Sequence, residues 1–302
     1  MNGDEELAVE LRGLTKRYGK HLAVDGLDLC IEKGRNVGLL GQNGAGKTTT
    51  IKMMMGLEPI SSGRSLLLGT DVSLFPSEMR AKVGYVPDTQ NIYSWMTVSD
   101  VVWFVKSQYP TWNDSLCDQL MGIFDLPSAK KVRHLSKGMK AKLALLLAIS
   151  HEPDLLILDE PMTGMDPLVR DEFLDRTKEW FCQHDRSVLF SSHLLEDVQR
   201  LADDIAIINK GRLIAFNSIE NLLESFKILN ITLESEGTMG NIPDGTVRAI
   251  DNTGGLLVVA GMYSTGTLDQ IRQNKEVADV EAVKCSLSEI FKHYVQGDNQ
   301  SC

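Results

Sequence analysis

Apolar and polar residues alternate over 8–13 and 22–31, the period of half-exposed antiparallel strands. Residues 36–40, Asn-Val-Gly-Leu-Leu, form a short apolar run that stops at Gly41 and predicts a buried strand. From Lys47 the period becomes helical, with Ile51, Met54 and Met55 on one side. A strand at 83–87 precedes a largely helical stretch over 97–150, broken near Pro110 and Pro127. Strand character returns at 154–158, a helix follows Pro167, and an apolar strand covers 188–190. A helix at about 194–201 leads to strands around 204–208 and 212–216. Strands alternating with helices predict an α/β fold with a mainly parallel sheet, to which an antiparallel N-terminal pair and a helical insert are added.

From about Lys227 the texture changes. Strands are predicted at 228–234, 246–250, 256–260 and 278–284, with Gly254-Gly255 in a turn and helices near 267–274 and 286–295. This reads as a small α+β appendage. The predicted division is therefore residues 1–226, with a helical subdomain at about 91–152, and residues 227–302.

Composition narrows the partners. The 302 residues are 43% hydrophobic and carry a formal net charge of −10, without a long Lys/Arg run. Nucleic acid selects a basic stripe that displaces phosphate counterions, so none is expected as partner. Five cysteines without a Cys-x-x-Cys pair predict reduced thiols rather than a disulfide framework or zinc site. Met1 to Glu10 lacks the charge pattern of a signal peptide. Leu143 to Ile149 and Leu155 to Leu158 are far shorter than the ~20 residues of a membrane span. The expectation is a cytoplasmic chain that does not cross the membrane itself.

The chemistry begins at Gly41-Gln42-Asn43-Gly44-Ala45-Gly46-Lys47-Thr48, which fits Gly-x₄-Gly-Lys-[Ser/Thr] between a predicted strand and a predicted helix. Glycines let backbone N–H groups turn toward phosphates, and the helix start adds partial positive charge. Lys47 supplies a cation to the β- and γ-phosphates, and Thr48 a hydroxyl for Mg²⁺. Asp154-Leu-Leu-Ile-Leu-Asp159-Glu160-Pro161 ends an apolar strand on two acids, at the sheet edge where open α/β folds bind ligands. Asp159 is placed to hold Mg²⁺, and Glu160 to accept a proton from an attacking water. These motifs predict a P-loop NTPase core that binds ATP with Mg²⁺ and hydrolyses it.

Further motifs carry a family resemblance. Leu135-Ser136-Lys137-Gly138-Met139 opens an apolar helix ahead of Asp159 and resembles the signature loop of ATP-binding-cassette (ABC) ATPases. Thr163-Gly164-Met165-Asp166-Pro167 looks like the D-loop of that family, and Ser191-Ser192-His193 like its switch-histidine loop. Tyr18, in Lys16-Arg17-Tyr18-Gly19, matches the aromatic on which adenine stacks. Order and spacing agree from about residue 8 to 225.

The resemblance implies specific roles. Asn43, Gly44, Ala45, Gly46 and Thr49, with Gly41, Lys47 and Thr48, would line the phosphates. Glu160, His193 and Lys47 would be catalytic, His193 contacting the γ-phosphate. Ser136 and Gly138 would meet the γ-phosphate held by a second subunit, and Asp166 would couple the two sites. Two ATP molecules would close a dimer, either of identical cassettes or with a sister subunit. A separate polytopic permease would receive the cassette on the inner face of the membrane. Its coupling helix would seat against the helical insert around Asn91 to Pro110, beginning near Tyr93-Ser-Trp95-Met; Trp95 and Trp103 would otherwise pack on the helix.

Two departures stand out. Lys137 occupies a place where the family uses a small residue. Asp88 stands where a glutamine follows Val86-Pro87, and Gln90 lies two residues on, so either could serve the metal loop. Ser286-Leu-Ser-Glu-Ile-Phe291 resembles the closing helix of bacterial exporter cassettes. The leading expectation is the motor subunit of an exporter. Alternatives are a soluble ABC ATPase of translation or DNA repair, or a small-molecule kinase.

Overall fold

The computed structural model describes residues 6–74, 77–163, 165–182, 186–234, 246–252 and 256–298. By internal contacts the chain divides into two compact units, Met1–Ala202 with Ile208–Leu213, and Asp203–Ile207 with Ile214–Cys302.

The first unit opens with β1 (Leu7–Tyr18) and β2 (His21–Glu32), an antiparallel pair whose register shifts several times. β3 (Asn36–Leu40) runs into the loop that precedes α1 (Lys47–Met54). β4 (Ser62–Leu67) and β5 (Thr70–Asp71) complete an antiparallel sheet in the order β2-β1-β4-β5. After α2 (Ser77–Arg80) and β6 (Val83–Val86) come three helices, α3 (Val98–Lys106), α4 (Asp114–Ile123) and α5 (Lys137–Ile149). β7 (Leu155–Leu158), α6 (Pro167–Cys182), β8 (Ser187–Ser192) and α7 (Leu195–Leu201) follow.

The strands β3-β8-β7-β6 lie side by side and run parallel. Parallel strands covered on both faces read as continuous apolar runs, and Val37, Leu39 and Leu155 to Leu158 are accordingly at most 1% exposed. Each such side chain contributes about 1.5–3 kcal/mol by leaving water. That core fixes the strand ends, where the chemistry sits.

The helical insert is held by its caps. Thr97 accepts from the Asp100 N–H while the Asp100 carboxylate accepts from the Thr97 N–H, a reciprocal box that starts α3. Asn113 caps α4, and Ser136 caps α5 by accepting from the Met139 N–H at 3.2 Å.

The chain continues through β9 (Asp204–Asn209), β10 (Arg212–Ser218) and α8 (Ile219–Ser225). In the second unit β11 (Phe226–Leu233), β12 (Thr246–Asn252), β13 (Leu256–Met262) and β14 (Val277–Lys284) form an antiparallel sheet in the order β12-β13-β11-β14. Leu229, Ile231, Leu257 and Val259 pack with Ile271 of α9 (Thr265–Arg272). α10 (Leu287–Asp298) closes the described chain, and Ser286 and Glu289 hydrogen-bond at its start. The Gly254-Gly255 turn and Gly164 lie outside the described residues. Among the described residues, no helix is long and apolar enough to cross a membrane.

Candidate functional site

The loop 41–46 joins β3 to α1 and is pinned from below. The Gly211 N–H donates to the Ala45 carbonyl at 2.9 Å, and the Asp25 N–H to the Gly211 carbonyl at 2.9 Å. Gly46 has φ +109°, and a Cβ there would stand 2.8 Å from the Ala23 carbonyl, so only glycine turns the chain into α1 at this point.

Lys47 is buried, with its ammonium donating to the Gly41 carbonyl at 2.8 Å. The same ammonium lies 3.1 Å from Glu160 Oε1. A cavity of about 620 Å³ opens over this loop. Asn43, Gly44, Ala45, Gly46, Lys47, Thr48 and Thr49 line it, joined by Tyr18, Asp88, Glu160 and His193. Most of the sequence-predicted set thus converges on one cavity.

Asp159, at the end of β7, is fully buried beneath the cavity. Its Oδ1 accepts from Ser191 Oγ at 2.7 Å and from Thr48 Oγ1 at 3.1 Å, while Oδ2 has no partner. Burial pushes the Asp159 carboxyl above its ordinary value; the hydrogen bonds from Ser191 and Thr48 oppose this, and the charges of Asp88 and Glu160 add to it. A bare carboxylate oxygen beside a hydroxyl is a hard oxygen pair suited to a divalent cation. No cluster of three or more His, Cys, Asp or Glu groups among the described residues could hold a metal unaided. Phosphate oxygens and water would have to complete the shell.

Glu160 sits at φ +46°, a left-handed conformation uncommon outside glycine. Its N–H donates to Ser191 Oγ at 2.8 Å, which holds the backbone there. Its Oε2 lies 2.7 Å from His193 Nδ1 and accepts from Thr163 Oγ1 at 3.1 Å. Burial works to raise the Glu160 carboxyl, but the His193 hydrogen bond and the Lys47 ammonium outweigh it and hold the group below its ordinary value. Glu160 is therefore a carboxylate at neutral pH, in the form a general base requires.

The switch loop is braced from the other side. Ser192 Oγ donates to the buried Asp197 at 3.0 Å, and Arg170 Nε of α6 donates to the other Asp197 oxygen at 2.7 Å. Sequence reasoning missed Ser191, Thr163 and Asp197; the Ser191-Ser192-His193 motif was the one signal that could have found the first.

Gly41, Ser136, Gly138 and Asp166 are not among the residues that line the cavity. Gly41 contributes its carbonyl to Lys47. Ser136 is exposed with its oxygen engaged as a helix cap, Gly138 is half-buried, and Asp166 is exposed where its carbonyl accepts from the Arg170 N–H. Lys137 reaches the P-loop cavity. Gln90 lines a different cleft and donates to the Pro87 carbonyl at 3.1 Å, so only Asp88 of the two alternatives faces the phosphate loop.

That second cleft, about 900 Å³, is lined by Ile92, Val105, Tyr109 and His151 among others. Next along the chain stand exposed aromatics: Trp103 is 71% exposed, Trp95 64% and Tyr93 56%. Neither tryptophan is spent on helix packing. The Tyr93 ring lies 6.1 Å from Trp95 and 6.0 Å from Phe104.

Comparison with known proteins agrees with this geometry. Residues 24–163 match the family model described as ABC transporter. The uncharacterized ABC transporter ATP-binding protein YhaQ of Bacillus subtilis is 36% identical over 74% of this chain and 75% of its own. The Nod factor export ATP-binding protein I of Burkholderia orbicola is 37% identical over 72% and 73%. The bacitracin transport ATP-binding protein BcrA of Enterococcus faecalis is 32% identical over 82% and 85%. A solved structure of an ATP-binding subunit of an ABC transporter superposes with TM-score 0.65 at 28% identity, covering 72% of this chain and 92% of that one. With the phosphate loop, Glu160 and His193 lining one cavity, the chain belongs to the ATP-binding subunits of ABC transporters, ATPases that work with membrane-spanning permease partners.

Proposed function

We propose that this chain is the motor of an exporter, hydrolysing MgATP through Glu160 and delivering the resulting closure and opening to a separate polytopic permease. The observation that carries the reading is the single carboxylate of Glu160, which meets both Lys47 (3.1 Å) and His193 (2.7 Å) over the phosphate loop. Relatives named for Nod factor export, bacitracin transport and linearmycin resistance support the exporter assignment. They speak against a soluble role in translation or repair.

In this reading Thr48 and Asp159 would hold Mg²⁺, and Asp88 would add a further oxygen to its site. When bound, the ion neutralises charge developing on the phosphates. Lys47 binds the β- and γ-phosphates. Glu160 Oε1 then exchanges its ammonium partner for the attacking water and takes that water's proton. The Nδ1–H of His193 holds the other Glu160 oxygen, which fixes the ring's tautomer and orientation. Tyr18 stacks on adenine. Ser136, Gly138 and Asp166, which do not line the cavity of their own chain, act on the nucleotide of a second cassette, identical or sister. The helical insert around Asn91 to Pro110, with its exposed Tyr93, Trp95 and Trp103, receives the permease, which brings the cassette to the inner face of the membrane. We place the domain boundary at 226/227, with the helical subdomain over 91–152 and residues 227–302 as an accessory domain.

The test is Glu160→Gln, which keeps the shape and removes the base. Turnover is expected to fall ~10²–10⁴-fold while ATP still binds and traps a dimer on a sizing column. Near-parental turnover would remove Glu160 from the mechanism. Recovery of the cassette from membranes without any polytopic protein would end the motor assignment.

A further inference from the structure

Lys16 is a buried cation outside the catalytic cluster, with only 5% of its surface exposed. A charge in that position persists only when it is paired and hydrogen-bonded. Its ammonium donates to the Pro59 carbonyl at 2.7 Å and pairs with Glu58 at 3.0 Å. It also lies 4.8 Å from the centroid of the Tyr18 ring. Lys16 and Tyr18 are two residues apart at the end of β1, where the register with β2 shifts between Lys16 and Arg17, and the ammonium lies over the ring.

The anchor of this contact is informative. Glu58 and Pro59 belong to the loop that leaves α1, and the Glu58 N–H donates to Lys52 O of that helix at 3.2 Å. The same loop returns to β1, where the Ser61 N–H donates to the Thr15 carbonyl and the Arg17 N–H to Ser61 Oγ, both at 3.0 Å. The Glu58 carboxyl is held below its ordinary value, chiefly by the Lys16 hydrogen bond, with a smaller contribution from Tyr18. α1 therefore carries the phosphate loop at its start and the Lys16 anchor beyond its end. Tyr18 keeps 45% of its surface exposed and lines the P-loop cavity.

We propose that Lys16 is a positioning residue for the nucleotide base, clamping the Tyr18 ring at a set distance from the phosphate loop. The clamp occupies one face of the ring with a cation and leaves the other for the base. The cation also draws electron density from the ring, which favours an electron-rich purine stacked opposite. Because the anchor lies on the segment that follows the phosphate helix, the span from base to triphosphate is built into one rigid unit. This inference rests on the reading of Tyr18 as the adenine platform.

Isothermal titration of the full chain with MgATP and with magnesium tripolyphosphate, which has no base, separates the possibilities. Lys16→Met is expected to weaken MgATP about three- to tenfold, the range of a partly desolvated cation–π contact. Tripolyphosphate affinity is expected to stay within about twofold, and Lys16→Met added to Tyr18→Ala to cost nothing further, since the two residues act as one unit. Unchanged MgATP affinity, an equal loss for both ligands, or additive losses in the double variant would each overturn the clamp. If Tyr18→Ala itself spares MgATP, the platform reading fails; if Tyr18→Ala weakens MgATP and Lys16→Met does not, the platform stands and the clamp falls. Should Lys16→Met fail to fold, Glu58→Gln takes its place, with the same split expected and the same results overturning the proposal.

Discussion

Ser191 is where removal of one oxygen atom should do the most damage to the catalytic centre. It lies near the end of β8, opposite Leu39 of β3, with no exposed surface. Its hydroxyl donates to Asp159 at 2.7 Å and accepts from the Glu160 N–H at 2.8 Å. Ser191→Ala deletes a hydrogen bond to a charged group, about 1.5–3 kcal/mol, and strands a half-buried N–H, about 1–3 kcal/mol. The two losses share one neighbourhood and will not add in full, so about 2–4 kcal/mol of stability is expected to go. Glu160 would also lose the bond that holds it at φ +46°. A displacement of about 1 Å there costs on the order of 10²-fold in turnover. The assays are guanidinium unfolding, ATPase kcat and KM, and the Mg²⁺ concentration for half-maximal rate. Ser191→Thr keeps the hydroxyl and suits a strand, so it is expected to recover most of both losses. If alanine leaves stability and kcat at parental values, or threonine is as damaging as alanine, the hydroxyl is not what holds the acid pair.

Three further outcomes follow from the same geometry. Lys47→Ala is expected to abolish nucleotide binding in a direct titration, because the phosphates lose the buried ammonium that reaches the loop. Asp88→Ala is expected to raise the Mg²⁺ requirement of turnover, while Gln90→Ala, in the other cleft, leaves it unchanged; the reverse pattern would transfer the role to Gln90. His151 is buried, stacked 4.1 Å from Tyr109, and burial holds its pKa below the ordinary 6.5. The unfolded chain therefore binds the proton first as pH falls below about 6.5, and stability declines by up to about 1.4 kcal/mol per pH unit. Unfolding curves between pH 7 and 5 should show this slope, and His151→Gln should remove it.

Residue patterns carried unevenly into structure. β3 was legible to the residue because its apolar run ends at a glycine that the loop requires. β4 was not, since Ser62-Gly-Arg-Ser carries no strand period and is ordered by pairing with β1. α8 was hidden because Ile219–Ser225 spans barely two turns; its Ser218 cap, accepting from the Asn221 N–H, is clear only once seen. Lys47, Thr48, Asp159, Glu160 and His193 were found through motifs whose spacing encodes their convergence. Ser191 and Lys16 escaped as functional groups for a shared reason. Their partners lie 32 and 43 residues away, and neither a serine nor a lysine announces burial in one dimension.

The end of β8 links the cavity to the helices α6 and α7 through hydrogen bonds. Adjacent residues of a strand face opposite sides, so Ser191 turns toward the acid pair of β7 while Ser192 turns away from it. Ser191 grips Asp159 and the Glu160 backbone; Ser192 grips Asp197 of α7, which in turn holds Arg170 of α6. His193, the next residue, meets the Glu160 carboxylate. Both grips are buried and involve carboxylates, so stretching either one costs far more than a surface contact would. A shift of the backbone at His193, under the proposed mechanism, would pull on the strand end and through it on the Asp197–Arg170 pair. Arg170 lies one turn beyond Asp166, whose carbonyl accepts its N–H at 2.9 Å, so in the proposed dimer that displacement would be passed to the exposed residue offered to a second cassette.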